Sequence, residues 1–169
     1  MDSAKRRKKL IRGYALLVLR LLLLAAVLLF LFGRVLLLHR ILGMDMYPAV
    51  KDGDLLLASR MPREYARGDV VVYFAGSLTR VGRIAAMPGD HVELDGEGTF
   101  LVNGVPQRGD TPWSTFPAEG GTEKLDIPPN SVYILGDYRT LSVDSRAFGP
   151  VDMAQLEGKL IGLFRIRGF

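Results

Sequence analysis

From Leu21 to Leu38 the chain reads LLLLAAVLLFLFGRVLLL, an apolar run broken only by Arg34 and preceded by another apolar stretch interrupted by Arg20. About 20 residues of this character cross about 30 Å of hydrocarbon as a helix. The run therefore predicts a single membrane span over residues 17–38, with Arg20 and Arg34 close enough to its ends for their stems to reach the headgroups. KRRKK and Arg12 precede it, and the positive-inside bias places residues 1–16 in the cytoplasm and 39–169 outside the cell membrane. A cleaved secretory signal would show a shorter apolar core and a small-x-small cleavage site, which VLLLHRILG lacks. A soluble helical hairpin or an interfacial helix would need a polar face at helical spacing, and none recurs here.

Charge divides the chain in the same place. Residues 1–40 hold nine Lys/Arg and one acid, Asp2, leaving 13 of the 22 basic and 17 of the 18 acidic residues for 41–169. The overall charge of +4 is thus a property of the membrane end, while the rest is net acidic. Nucleic acid is excluded as an expected partner. With no cysteine and two histidines, His39 and His91, the chain offers neither disulfides nor thiolate chemistry nor the usual zinc ligand sets. No metal or cofactor is expected.

Beyond Leu42 short apolar runs alternate with Gly, Pro and Asp, which predicts a mainly β, antiparallel domain with tight turns over 39–169. Strands are expected at Leu55–Ser59, Asp69–Phe74, Thr79–Ala86, His91–Leu94, Phe100–Val102, Ser131–Leu135 and Leu160–Arg167. Turns are marked by Lys51-Asp52-Gly53, Pro88-Gly89-Asp90, Asp95-Gly96 and Asn103-Gly104. Residues 106–124, rich in Gly, Pro and Thr, read as a loop insertion whose Trp113 and Phe116 form a lip toward lipid or a partner, or else cap the core. His91 reads as structural or solvated, and Arg165 and Arg167 as a solvated strand face.

Four blocks stand out in order: GMDMYPAVKDGDLLL from Gly43, ARGDVVVYF from Ala66, RVGRIAAMPGD from Arg80 and GDYRTLSVDSRAFGPV from Gly136. Placed after a membrane anchor, they closely resemble the boxes of type I signal peptidases, membrane-bound serine proteases that remove signal peptides from exported proteins. The resemblance covers nearly the whole chain and implies that family's antiparallel β fold. It also implies a serine nucleophile directly before Met-x-Pro and a lysine base directly before the Arg-hydrophobic-hydrophobic of the Pro-Gly-Asp strand. Such chemistry needs a hydroxyl to attack the carbonyl and an amine held neutral by desolvation to take its proton.

Here Asp45 precedes Met46-Tyr47-Pro48, and Gly82 precedes Arg83-Ile84-Ala85. No lysine lies between Lys51 and Lys124, so no slip of register supplies a base; Ser59 and Ser77 lack the Met-x-Pro context. An aspartic-protease pair would need a second carboxylate sharing a proton with Asp45, for which Asp144 is the nearest motif candidate. The resemblance implies a peptide groove formed by Gly43, Met44, Asp45, Met46, Pro48, Arg80 and Gly82, with edges at Leu42–Pro48 and Thr79–Ala86 for an extended peptide. It implies structural support from Arg83, Asp90, Gly136, Asp137, Arg139, Ser142, Asp144, Ser145 and Arg146, including a buried Asp144–Arg146 ion pair. Ser142 is left without the lysine it would position, and Tyr138 replaces the usual asparagine.

The expected function is that of a non-catalytic member that binds extended segments of exported proteins without cutting them. Asp and Gly at these two positions match the signal-peptidase-like chaperones of sortase-assembled pili in Gram-positive bacteria, a similarity that implies pilin subunits or sortase as partners. Asp45 reads either as a ligand for a cation, amine or backbone N–H, or as a relic. An active type I signal peptidase is the alternative. A soluble repressor-type autoprotease is disfavoured by the anchor and by RIAAMPGD.

Overall fold

The computed structural model describes residues 2–107, 112–117 and 124–165. Two compact units divide the chain, residues 1–36 and 37–169.

In the first unit, helix α1 (Asp2–Phe30) continues through a π-helical turn at Leu31–Val35. Its segment Arg7–Val35 is long and apolar enough to cross a membrane, and none of its most apolar 18-residue window is buried. Leu22, Leu29 and Phe30 are each more than half exposed, a state that suits hydrocarbon and not water. The helical run ends at Val35, short of the Leu38 expected from hydropathy. Leu36–Arg40 instead forms strand β1, with Leu37 against the core residues around Ile41. Apolar side chains serve a span and a core strand equally well, so hydropathy alone misplaces this boundary.

The second unit contains two antiparallel sheets, as the alternation of its apolar residues leads one to expect. The larger takes the order β1, β2 (Leu55–Ser59), β11 (Leu156–Phe164), β3 (Val70–Ala75), β4 (Leu78–Ala86), β9 (Ser131–Leu135), β10 (Val151–Asp152). The smaller runs β7 (Val105–Pro106), β6 (Phe100–Val102), β5 (His91–Leu94), β8 (Lys124–Asp126). β11 starts at Leu156, earlier than the expected Leu160, and Arg167 lies outside the described residues. The stretch read as an insertion carries β7 and β8 at its two ends, so it is clamped into the small sheet.

Because β3 sits mid-sheet, both of its faces are covered, and it reads as a continuous apolar run. Val70 and Val72 join Ile41, Met46, Val50, Leu56 and Ala58 on one side; Val71 and Tyr73 join Ile84, Val132, Ile134 and Val151 on the other. A third cluster, containing Val92, Leu94, Phe100, Val102, Tyr133 and Leu135, joins the small sheet to β9. The site described next lies above the Tyr73–Ile134 face.

Candidate functional site

The loop carrying Asp45 is held by its neighbours. Val50 N–H donates to Met46 O (2.9 Å), Tyr47 N–H to Met44 O (2.9 Å) and Gly43 N–H to the Asp52 carboxylate (2.9 Å). Residues 42–48 therefore form turns, not the peptide-pairing strand edge expected from the sequence. Met46 points into the core at 2 % exposure, so it anchors the loop and offers no groove surface. Gly43, Met44 and Pro48 are exposed, and the Asp45 side chain is 40 % exposed.

Across from Asp45 lies β4. Its pairing with β9 begins at Arg83, while Leu78–Gly82 pair only β3 among the described residues. That half of β4 retains an open edge. Arg80 extends from it, placing Nη1 3.8 Å from the Asp45 carboxylate and 3.3 Å from Val143 O, while its Nε is buried without an acceptor. Burial raises the Asp45 pKa, against the opposing pull of Arg80 and with reinforcement from the Asp144 charge.

The sign of the linkage follows from that shift. Folded Asp45 holds its proton more tightly than the unfolded chain does, so its ionisation costs stability as pH rises above the ordinary value of 3.8. Asp45→Asn is expected to lack this cost and to be at least as stable as wild type at pH 7, with a flatter stability profile from pH 4 upward. Chemical denaturation of the two proteins across that range checks it, and a less stable Asn variant at pH 7 would show that the Arg80 attraction dominates.

Gly82 is buried, and a Cβ there would lie 2.5 Å from Ile134 Cγ2 and 3.3 Å from the Tyr73 ring. Sequence reasoning missed both neighbours, since neither is adjacent in the chain and only the register of β3, β4 and β9 brings them together. Burial, then the Asp144 charge, pushes the Tyr73 phenol above its usual range.

The last block folds under Asp45. Gly136 is required by a close approach: a Cβ would meet Ser142 Cβ at 2.3 Å and Asp45 O at 2.6 Å. Asp45 O also accepts from Tyr138 N–H (2.9 Å). Asp144 and Arg146, both buried, form a two-pronged pair with Nε and Nη2 at 2.8 and 2.9 Å. Asp144 further accepts from Gly136 N–H (2.9 Å) and Ser142 Oγ (2.8 Å) and caps the short helix α2 (Ser145–Phe148) through Arg146 N–H. A carboxylate so occupied, and charge-paired with Arg146, is poorly suited to share a proton with Asp45 as an aspartic-protease pair would. Ser142 is bonded to this pair on both sides, since its Oγ donates to Asp144 and accepts from Arg146 Nη2 (3.0 Å). Ser145 Oγ, fully enclosed, accepts from Ile134 N–H (2.9 Å).

The other supporting residues are paired with one exception. Arg83 grips Asp137 at 2.8 and 2.6 Å, and Arg67 donates to Asp90, which also accepts from Met87 N–H and Asn103. Burial alone would raise the Asp90 pKa, but the bonds from Met87, Arg67 and Asn103 outweigh it and hold the carboxyl below its usual range. Arg139, 9 % exposed, donates to Thr115 Oγ1 (3.1 Å) and has no carboxylate in direct contact among the described residues; burial lowers its pKa against the pull of the Asp144 and Asp137 charges. Tyr138 stacks obliquely on Trp113 at 4.5 Å between centroids, with Tyr47 about equally close to both rings at 6.0 and 5.9 Å. Trp113 thus caps the site's flank, whereas Phe116 is 49 % exposed. His91, at the start of β5, pairs with Asp126 at the surface, away from this constellation.

An antiparallel β domain that follows a helix long and apolar enough to cross a membrane, with the Met-x-Pro turn facing the Arg80–Arg83 strand over a buried Asp–Arg pair, defines a signal-peptidase type of site. The chain belongs to the signal peptidase family, peptidase S26, whose model matches residues 14–164. It is 32 % identical over 157 residues to signal peptidase IB of Staphylococcus aureus, covering 80 % of this chain and 82 % of that protein. Signal peptidase I of Bacillus caldolyticus is 29 % identical over 136 residues, covering 70 % and 73 %. A crystal structure of a signal peptidase I from Enterococcus faecalis aligns with TM-score 0.49 and 26 % identity, over 58 % of this chain and 97 % of that one.

Proposed function

We propose that this protein is a membrane-anchored, non-catalytic signal peptidase relative that holds extended segments of exported proteins, pilin subunits or a sortase among them, in the groove beside Asp45. On this reading residues 1–16 are cytoplasmic, 17–35 span the cell membrane and the β domain is extracytoplasmic. The observation that carries it is the pair Asp45 and Gly82 at the two reactive positions: a carboxylate is a poor nucleophile toward an amide, and Ile134 fills the space a lysine stem would need. Loss of nucleophile or base from a serine protease costs about 10⁶ in kcat, and the double loss is about as severe. The half-open edge of β4 supports strand addition as the binding mode, with Asp45 and Arg80 presenting an acceptor and donors beside it.

A second reading, peptidase activity, is favoured by the names of the relatives, all signal peptidases. Pull-down from intact membranes with wild type and Asp45→Ala separates the two. Wild type is expected to recover uncleaved pilin or sortase, and the variant to lose most of it. Recovery of trimmed preproteins or free signal peptides by wild type would establish cleavage instead, and equal recovery by both proteins would place binding away from Asp45.

A further inference from the structure

A cavity of about 650 Å³, whose lining does not include Asp45, opens between the two sheets, lined in part by Arg67, Arg83, Gln107, Trp113, Thr115 and Arg139. We infer that this cavity binds a ligand bearing a carboxylate or phosphate group, held through the guanidinium of Arg139. The inference stands apart from the groove and does not depend on the proposed partner.

The neighbouring arginines each own a carboxylate: Arg67 has Asp90, Arg83 has Asp137 and Arg146 has Asp144. Those carboxylates are engaged, with Asp137 gripped at both oxygens and Asp144 taking five donors. Among the described residues Arg139 is the surplus cation. Among the described residues its one hydrogen bond is to Thr115 Oγ1; its Nε is buried with no acceptor and its Nη2 makes none. Burial of the Arg139 guanidinium outweighs the pull of the Asp144 and Asp137 charges, and a buried cation with no carboxylate in direct contact is unfavourable, whereas a carboxylate or phosphate satisfies two guanidinium N–H groups at once.

The volume falls within the range of small-molecule sites and exceeds what an isolated oxyanion fills, so the group is expected to be one end of a larger molecule. Trp113 offers it a flat apolar wall, and Gln107 a polar rim.

Trp113 is the single tryptophan of the chain, which makes the cavity self-reporting. Full-length protein in detergent is titrated with inorganic phosphate and, separately, with acetate, at ionic strength held constant by chloride, while tryptophan emission is followed. A saturable change with at least one of them is expected, unaffected by Asp45→Ala and at least tenfold weaker in apparent affinity for Arg139→Gln. Preference for phosphate or for acetate assigns the ligand's group. No saturable response to either anion, or the same affinity in Arg139→Gln, overturns the inference. Should Arg139→Gln not fold, Gln107→Phe, which narrows the cavity from an exposed position, is expected to weaken binding to the same degree; unchanged affinity there overturns it equally.

Discussion

Asp144→Ala is expected to destabilise the β domain by about 3 to 5 kcal/mol, the cost of leaving a buried charge unpaired. Arg146, 8 % exposed, would lose both prongs of its partner, and Gly136 N–H, Ser142 Oγ and the first turn of α2 would lose their acceptor at the same time. For a domain of this size the melting temperature should fall by about 10 °C or more. Arg146→Met should cost a similar amount by stranding the carboxylate. The double variant Asp144→Ala/Arg146→Met is expected to be less damaged than the sum of the single ones, because no charge is then left buried alone. Denaturant unfolding of the three variants in detergent is the measurement, and single costs below about 1 kcal/mol would show that the pair does not hold the site together.

The same pair holds the geometry around Asp45. Asp144 fixes Gly136, Gly136 admits the Asp45 carbonyl, and Tyr138 N–H holds that carbonyl in place. Each contact involves backbone or the ion pair and none needs a serine at 45 or a lysine at 82. The position of the Asp45 loop is thus set by backbone contacts and by the ion pair.

Much of this was legible in the sequence, and the limits are physical. Alternating apolar residues marked the strands at Leu55, His91, Phe100 and Ser131 because burial on one face imposes a period of two. Strand β1 was not marked, since it continues the apolar run of α1 without a change of composition. Motif spacing found Asp45, Arg80, Asp144 and Arg146 but not which way each side chain faces; Met46, read as groove, is core because the turn at 43–50 rotates it inward. Ser142 reads as a supporting residue left without a lysine to position, but not as the partner of Asp144 and Arg146 that it is. Ile134 over Gly82 and Thr115 against Arg139 could not be read at all, since each contact joins segments more than 20 residues apart.

Restoring a serine and a lysine is expected not to restore cleavage. If 45 and 82 are the nucleophile and base positions, Asp45→Ser/Gly82→Lys must place the lysine Cβ 2.5 Å from Ile134 Cγ2, a branched methyl at 0 % exposure in the core. Overpacking of this kind costs about 1 to 3 kcal/mol and displaces the new side chain. Adding Ile134→Ala removes that methyl and gives the lysine stem a channel, although Tyr73, 3.3 Å away, still crowds it. The triple variant is therefore expected to be more stable than the double and to be the first to cleave a signal-peptide substrate, at a rate at least tenfold above the double variant. Gel assays on full-length proteins in detergent decide between them. Equal activity in both would mean that Ile134 yields freely and that the site is merely missing two functional groups. Activity only in the triple would mean that the core itself has closed over the base position, so that the chain is committed to binding by its packing as well as by its chemistry.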